Sequence, residues 1–245
     1  MYYSRITLDL AKLPPGRLKE LITKGSYALH QWVWLLFTDD ETRKFLFREE
    51  EGQGFLRFYV LSENAPTKND LFQIETKEFK PKLRKGDRLI FSLRANPTVC
   101  RKGRRYDLFM DLKKRVPQLE RQDLLILQQA EAAEWLKRQG TGAGFSLISS
   151  NVESYQGKCV YGKNGDRITF SIMDFSGVLE ICDPEKFLRK LLIGFGKEKA
   201  FGCGLMLIRR PGDSSSWTDH AQGPYFDDFF EIRSSRCDRR SICTG

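Results

Sequence analysis

Only two histidines occur in the 245 residues, and one of them stands where it could move protons. In the stretch GSYALHQWVWLLF, Gly25 to Phe37, helical spacing puts Tyr27, His30, Gln31 and Trp34 on one face. The apolar stripe through Leu29, Val33 and Leu36 lies about a third of a turn away, so His30 sits beside the core face and is free to point outward. An imidazole, with a pKa of about 6.5, gives or takes a proton near neutrality, and a phenol orients groups or donates a hydrogen bond. A lone histidine beside aromatic residues is also an ordinary packed residue. The helix by itself leaves both roles open.

A second stretch with chemical content is GFGKEKAFGCG, in which Gly194/Gly196 and Gly202/Gly204 bracket Lys197 and Lys199. Glycines let backbone N–H groups approach a phosphate, and the lysines add charge. Dinucleotide-binding glycines follow a strand and open a helix, whereas these follow a helical segment and open a strand. No GxxxxGK[ST] occurs either. The alternative to a phosphate site is a tight helix-to-strand connection with solvated lysines. Glu198 beside such a path would be unhelpful, which makes Lys199 the better candidate for a phosphate contact.

Charge bears on the partner. The chain holds 41 Lys and Arg against 32 Asp and Glu, a net +9 and a pI of about 9.3. The first 210 residues concentrate this excess, with 37 basic and 26 acidic side chains. Such a balance favours a polyanion, because phosphate neutralisation by Lys and Arg supplies most sequence-independent nucleic-acid affinity; an ordinary basic surface is the alternative. Two basic clusters lie near turns. Lys158, Lys163 and Arg167 surround an Asn-Gly dipeptide, and Arg101, Lys102, Arg104 and Arg105 fall in a glycine-containing loop, RKGRRYD. The segment KPKLRKGDR, Lys80 to Arg88, is equally basic and precedes a strand. No cofactor is implied, and neither is a bound metal: the six cysteines form no CxxC pair, and Cys237, Cys243 and His220 fit no strong zinc spacing. The N-terminus alternates with no long apolar run, so neither a signal peptide nor a membrane span is expected, and the expected location is the cytoplasm.

The elements that must position these groups follow from periodicity. Tyr2 to Leu10 alternates as a strand, and the segment after LPPG is helical with a weak point at Gly25. FLFREEEGQGFLRFYVLS reads as a hairpin, and after an irregular stretch GDRLIFSLRANP is a strand stopped by Pro97. The second half repeats the plan: a helix over Asp123 to Arg138 ended by GTGAG, a hairpin through KCVYGKNGDRITFSIM, a short helix from Pro184 to Leu192, and a final strand CGLMLIRR. The fold class is therefore α+β, with two tandem ferredoxin-like (RRM-like) domains and antiparallel sheets, over 1–98 and 99–210. Residues 211–245 show no stable period and read as a disordered tail.

At this point the residues resemble a known family. Gly-apolar-Gly, five residues, then Gly-apolar-Gly before a last strand is similar to the glycine-rich signature of the RAMP-type CRISPR proteins. With FSGVLEI upstream, SLRANPT before that and YALHQWVWLLF near the N-terminus, the chain resembles the CasE endoribonuclease family of the type I-E Cascade complex over about residues 1–210. The resemblance implies metal-independent cleavage of CRISPR repeat RNA at the 3′ base of its stem-loop, with Tyr27 and His30 as the active-site residues of the helix. It implies attack by the RNA's own 2′-OH, leaving a 2′,3′-cyclic phosphate and a 5′-OH. It also implies that the protein keeps the crRNA stem-loop as a Cascade subunit, and that the Lys158 to Arg167 hairpin is the basic hairpin laid against the stem. Whether His30 is base or acid stays open, and so does whether Trp32 and Trp34 are core or a contact with another Cascade subunit. A non-catalytic RNA-binding subunit of the same architecture is the runner-up. A metal-dependent nuclease finds no ligand cluster among the acids.

Overall fold

Alternating apolar residues make β1 (Tyr2–Asp9), and its inward residues Ile6 and Leu8 are fully buried. The chain then turns through Pro14 and Pro15 into α1 (Pro15–Lys24) and breaks at Gly25, with φ +53°, before α2 (Ser26–Trp34). The weak point in the sequence is thus a true break between two helices. A computed structural model describes residues 1–37, 44–161 and 166–212. The hairpin expected next forms as β2 (Phe45–Gly52) and β3 (Phe55–Ser62).

The strand that completes this first sheet lies in the stretch read as irregular. It is β4 (Gln73–Glu78), QIETKE, which pairs with β1 at the sheet edge in the order β2-β3-β1-β4. Its burial is shallow throughout, so it carries no apolar alternation to be read. The strand expected to close the first domain, β5 (Arg88–Ala95), instead opens the second sheet. Domain limits of 1–98 and 99–210 therefore cut through the second sheet, and the sheets themselves change over between Glu78 and Arg88.

The RKGRRYD segment is a hairpin of its own, β6 (Thr98–Arg101) and β7 (Arg104–Asp107), turning through Lys102 and Gly103, both at positive φ. Next come α3 (Leu108–Arg115), α4 (Arg121–Ala143), β8 (Phe145–Tyr161), β9 (Arg167–Ile181), α5 (Pro184–Ile193) and β10 (Met206–Arg209). The second sheet runs β10-β5-β9-β8, which repeats the strand order of the first. Both are antiparallel ferredoxin-like arrangements, as the periodicity predicts.

Burial orders the layers. Ala28, Leu29, Trp32, Val33 and Leu36 pack on one face of the first sheet with Phe58 and Val60. Its other face, through Tyr3, Tyr59 and Leu61, shares a core with the second unit. The far face of the second sheet packs Phe91, Leu93 and Phe175 against Trp135 of α4 and Phe187 of α5. Helices, sheet, sheet and helices stack in that order. Charged groups cross between the sheets: Arg94 donates to Asp174 at 2.8 Å and to the Glu49 carbonyl at 2.8 Å, and Arg48 donates to Ser92 at 2.8 Å. Burial alone would raise the Asp174 carboxyl, but the Arg94 hydrogen bonds and charge outweigh it and hold that group below the usual carboxylate range.

Candidate active site

The long hairpin β8–β9 reaches beyond the second sheet. Its base pairs with β5 as far as Met173, and the remainder projects as a two-stranded ribbon. Alternation gives this ribbon two distinct faces. Lys158, Val160, Ile168 and Phe170 share one; Cys159, Tyr161, Arg167 and Thr169 share the other. Val160 is buried, so the first face is turned inward.

The cluster of Lys158, Lys163 and Arg167 expected at the hairpin therefore divides. Lys158 points inward, with its ammonium 3.7 Å from the Glu49 carboxylate of β2. Arg167 lies on the outer face, and its Nε donates to the Cys159 Sγ at 3.3 Å. Lys163 lies outside the described residues, as do His220, Cys237, Cys243 and the tail from 213 onward.

His30 stands where the two units meet. Half-buried on α2, its ring lies 5.9 Å from that of Trp34 on the same helix and 6.2 Å from that of Phe47 on β2. The ring of Phe201, from the glycine-rich loop of the second unit, is 6.1 Å away. Phe201 in turn stacks on Phe170 of the ribbon at 5.4 Å and 27°. Three rings in sequence thus connect α2, the glycine loop and the ribbon's inner face. Tyr27, one turn before His30, is half-buried and accepts a hydrogen bond from Gln31 at 3.4 Å.

The glycine loop runs from the end of α5 through a 3-10 turn at Lys199–Phe201. Gly194, Gly196, Gly202 and Gly204 all take φ between +72° and +95°. Three of them, Gly194, Gly202 and Gly204, are buried. A Cβ on Gly194 would meet Leu46 of β2 at 2.7 Å, and one on Gly196 would meet the Asn96 carbonyl at 2.7 Å. Lys197 donates its backbone N–H to that carbonyl at 3.2 Å, and Gly204 donates to the Arg94 carbonyl at 2.7 Å. These contacts support the tight-connection reading of the glycines: they let the loop press against β2 and β5 and carry Phe201 to His30. Lys199 donates its ammonium to the Ile193 carbonyl at 2.6 Å, at the C-terminal end of α5.

The second basic cluster lies on its own hairpin, which meets the ribbon at its end, where Asp107 accepts hydrogen bonds from Tyr155 at 2.9 Å and from Ser171. Arg101 is tied to Asp111 at 2.9 Å, and Arg115 shares that carboxylate while reaching Glu131 at 2.9 Å. Lys102, Arg104 and Arg105 are exposed on the β6–β7 hairpin. Of the residues singled out in the sequence, the structure brings together His30, Tyr27, Lys158 and the glycine loop. The sequence reading missed Phe47, Glu49, Phe170 and Phe201. Phe201 lay inside the glycine motif, and the cross-strand register places Phe170 opposite Lys158. Glu49 carried no signal, being one of three consecutive acids. Burial pushes its carboxyl above the ordinary 4.5, against the opposing charge of Lys158.

Comparison with known proteins agrees with this architecture. The family model described as CRISPR associated protein matches residues 1–210. A curated relative, the CRISPR-associated endoribonuclease Cse3 of Thermus thermophilus, is 30% identical over 145 residues, or 54% of this chain and 60% of the relative. The chain thus matches less than two thirds of that relative's length. Among solved structures, the CRISPR endoribonuclease Cse3 bound to 19 nt RNA gives a TM-score of 0.66 at 24% identity, covering 85% of this chain and 99% of that one. Cas6e from Escherichia coli K-12 gives 0.61 at 23% identity, covering 86% and 100%. At these identities the structures speak for the fold. No helix among the described residues is long and apolar enough to cross a membrane. Because the family model spans both sheets and ends one residue past β10, the motifs, the strand order and the match coincide, and the chain belongs to the CRISPR-associated protein family.

Proposed function

We propose that the chain is an endoribonuclease that cleaves CRISPR repeat RNA at the 3′ base of its stem-loop without a metal ion, and that it keeps the product as a Cascade subunit. The observation that carries this is the junction at His30, where the helix of one unit meets a lysine-bearing ribbon and the loop of the other. The name of the Thermus relative, an endoribonuclease, points the same way.

In the proposed reaction the 2′-OH of the nucleotide before the cut loses its proton to a base, and O2′ bonds to phosphorus. The P–O5′ bond breaks, O5′ takes a proton, and the products are a 2′,3′-cyclic phosphate and a 5′-OH. His30 supplies one of the two proton transfers, with Tyr27 as its partner. Lys158 offers positive charge for the dianionic phosphorane. Phosphate neutralisation by Arg104, Arg105 and Lys102 on their separate hairpin, and by Arg167 on the outer face of the ribbon, would hold the rest of the RNA.

One observation favours the runner-up, a non-catalytic RNA-binding subunit: three aromatic rings surround His30, and its Nε2 is out of solvent contact. Cleavage of a labelled stem-loop repeat RNA in EDTA separates the two. His30→Ala is expected to slow cutting by about 10²–10⁴-fold while leaving RNA affinity intact, and a 2′-deoxy substitution at the scissile nucleotide is expected to abolish it. If His30→Ala cuts as fast as wild type, the histidine only packs and the catalytic assignment fails.

A further inference from the structure

The ring sequence from His30 outward ends on a surface that packing alone does not use up. Phe201 already contacts two rings, His30 at 6.1 Å and Phe170 at 5.4 Å. Phe170 is the terminal ring, half-exposed on the ribbon's inner face directly across from Lys158. A partly exposed aromatic ring beside a lysine, two ring contacts from a candidate proton-transfer group, has the elements of a nucleotide subsite: a flat apolar face for a base and a cation for its phosphate. Bases stack on such rings whatever their identity, since each has a π-face, and unpaired bases are those free to do so.

We propose that Phe170, backed by Phe201, is the stacking platform for the first unpaired base beyond the cleaved phosphate. This rests on the RNA-cleaving reading and adds a positioning role for the base. The paired stem ends at the cut, so the next base has lost its helical neighbour and its face is available. Stacked on Phe170, that base fixes the leaving nucleotide relative to His30. Phe170 thus acts on orientation and touches the substrate without moving a proton.

Two RNAs test this, both carrying a 2′-deoxy at the scissile nucleotide so that neither is cut. One is the repeat stem-loop extended by a single 2-aminopurine nucleotide beyond the cut; the other stops at the cut. Wild type is expected to quench the 2-aminopurine on binding. Phe170→Leu keeps an apolar side chain but no ring face. It is expected to lose the quench and bind the extended RNA about 5- to 100-fold more weakly, with affinity for the shorter RNA unchanged. Phe170→Tyr, which keeps the ring, is expected to restore both. The proposal is overturned if Phe170→Leu quenches as wild type does, or if it weakens both RNAs equally, since the ring would then only anchor the glycine loop. Failure of wild type to bind either RNA would overturn the RNA-cleaving reading itself, an outcome distinct from the other two.

Discussion

Alanine at Gly196 and at Gly202 should separate backbone strain from steric contact in the glycine loop. Both residues take positive φ, +72° and +83°, where a side chain costs about 1–2 kcal/mol. Alanine also stiffens the unfolded chain, which returns about 0.4–1 kcal/mol. At Gly202 the added Cβ meets its nearest neighbour, the Phe47 ring, at 3.4 Å, an ordinary contact. The expected net loss there is about 0.5–1 kcal/mol. At Gly196 the same atom would lie 2.7 Å from the Asn96 carbonyl oxygen, which is backbone and is already held by the Lys197 N–H. Relieving that overlap costs about 1–3 kcal/mol more, for a total of about 2–4 kcal/mol. Urea midpoints followed by tryptophan fluorescence measure both, and hydrogen exchange at the Lys197 amide reports the local opening in Gly196→Ala. Equal losses, or a larger loss at Gly202, would refute the argument that close approach to β5 is what demands glycine at 196. The same proteins bear on phosphate binding: if Gly202 cradles RNA, Gly202→Ala weakens RNA affinity far beyond its small cost in stability.

The buried Glu49 carboxyl makes stability depend on pH in a definite direction. Its folded pKa is raised by burial, so the contribution is fully present below 4.5 and is lost as pH rises through the folded value. Glu49→Gln should therefore gain on wild type between pH 4.5 and pH 8, measured as the difference in urea midpoint; a constant difference, or one of opposite sign, contradicts this. The two halves of the RKGRRYD cluster should behave differently. Arg101→Ala removes an ion pair to the mostly buried Asp111 and is expected to lower the urea midpoint slightly, with little effect on RNA affinity. Arg104→Ala with Arg105→Ala should leave stability unchanged and lower the slope of log K against log salt by about 1 for each phosphate no longer neutralised, read from binding titrations at several salt concentrations.

Where periodicity or turn chemistry was strong, the sequence was readable. The β2–β3 hairpin, α5, β10 and the distal part of the β8–β9 hairpin stand where alternation and glycine signals put them, whereas α4 runs on through the GTGA expected to end it and β8 begins at Phe145, well before the alternating run. β4 went unread because QIETKE is a polar edge strand whose place is set by pairing with β1, a long-range contact that leaves no local pattern. Without β4, β5 filled its role by default, and the domain limit moved with it. The site was legible one residue at a time. Helical spacing located Tyr27 and His30, but Phe47, Phe170 and Phe201 looked like ordinary apolar positions. Their meeting depends on how the two units dock, and no local window contains that. Lys158 and Arg167 seemed one cluster until strand alternation assigned them to opposite faces.

The ring sequence through Phe201 also sets an order of events at the ribosome. His30 emerges early, in the second helix, whereas Phe170 and Phe201 are among the last parts of the fold to be made. At about 5–20 residues per second the delay between His30 and Phe201 is on the order of ten to thirty seconds. Throughout that interval the nascent chain carries its candidate proton-transfer residue with no partner surface from the second unit. Nor is its second sheet complete until β10 pairs with β5. On the proposed function, a growing chain could not cut RNA prematurely, and truncation anywhere before the last strand should yield a product with no cleavage activity rather than reduced activity.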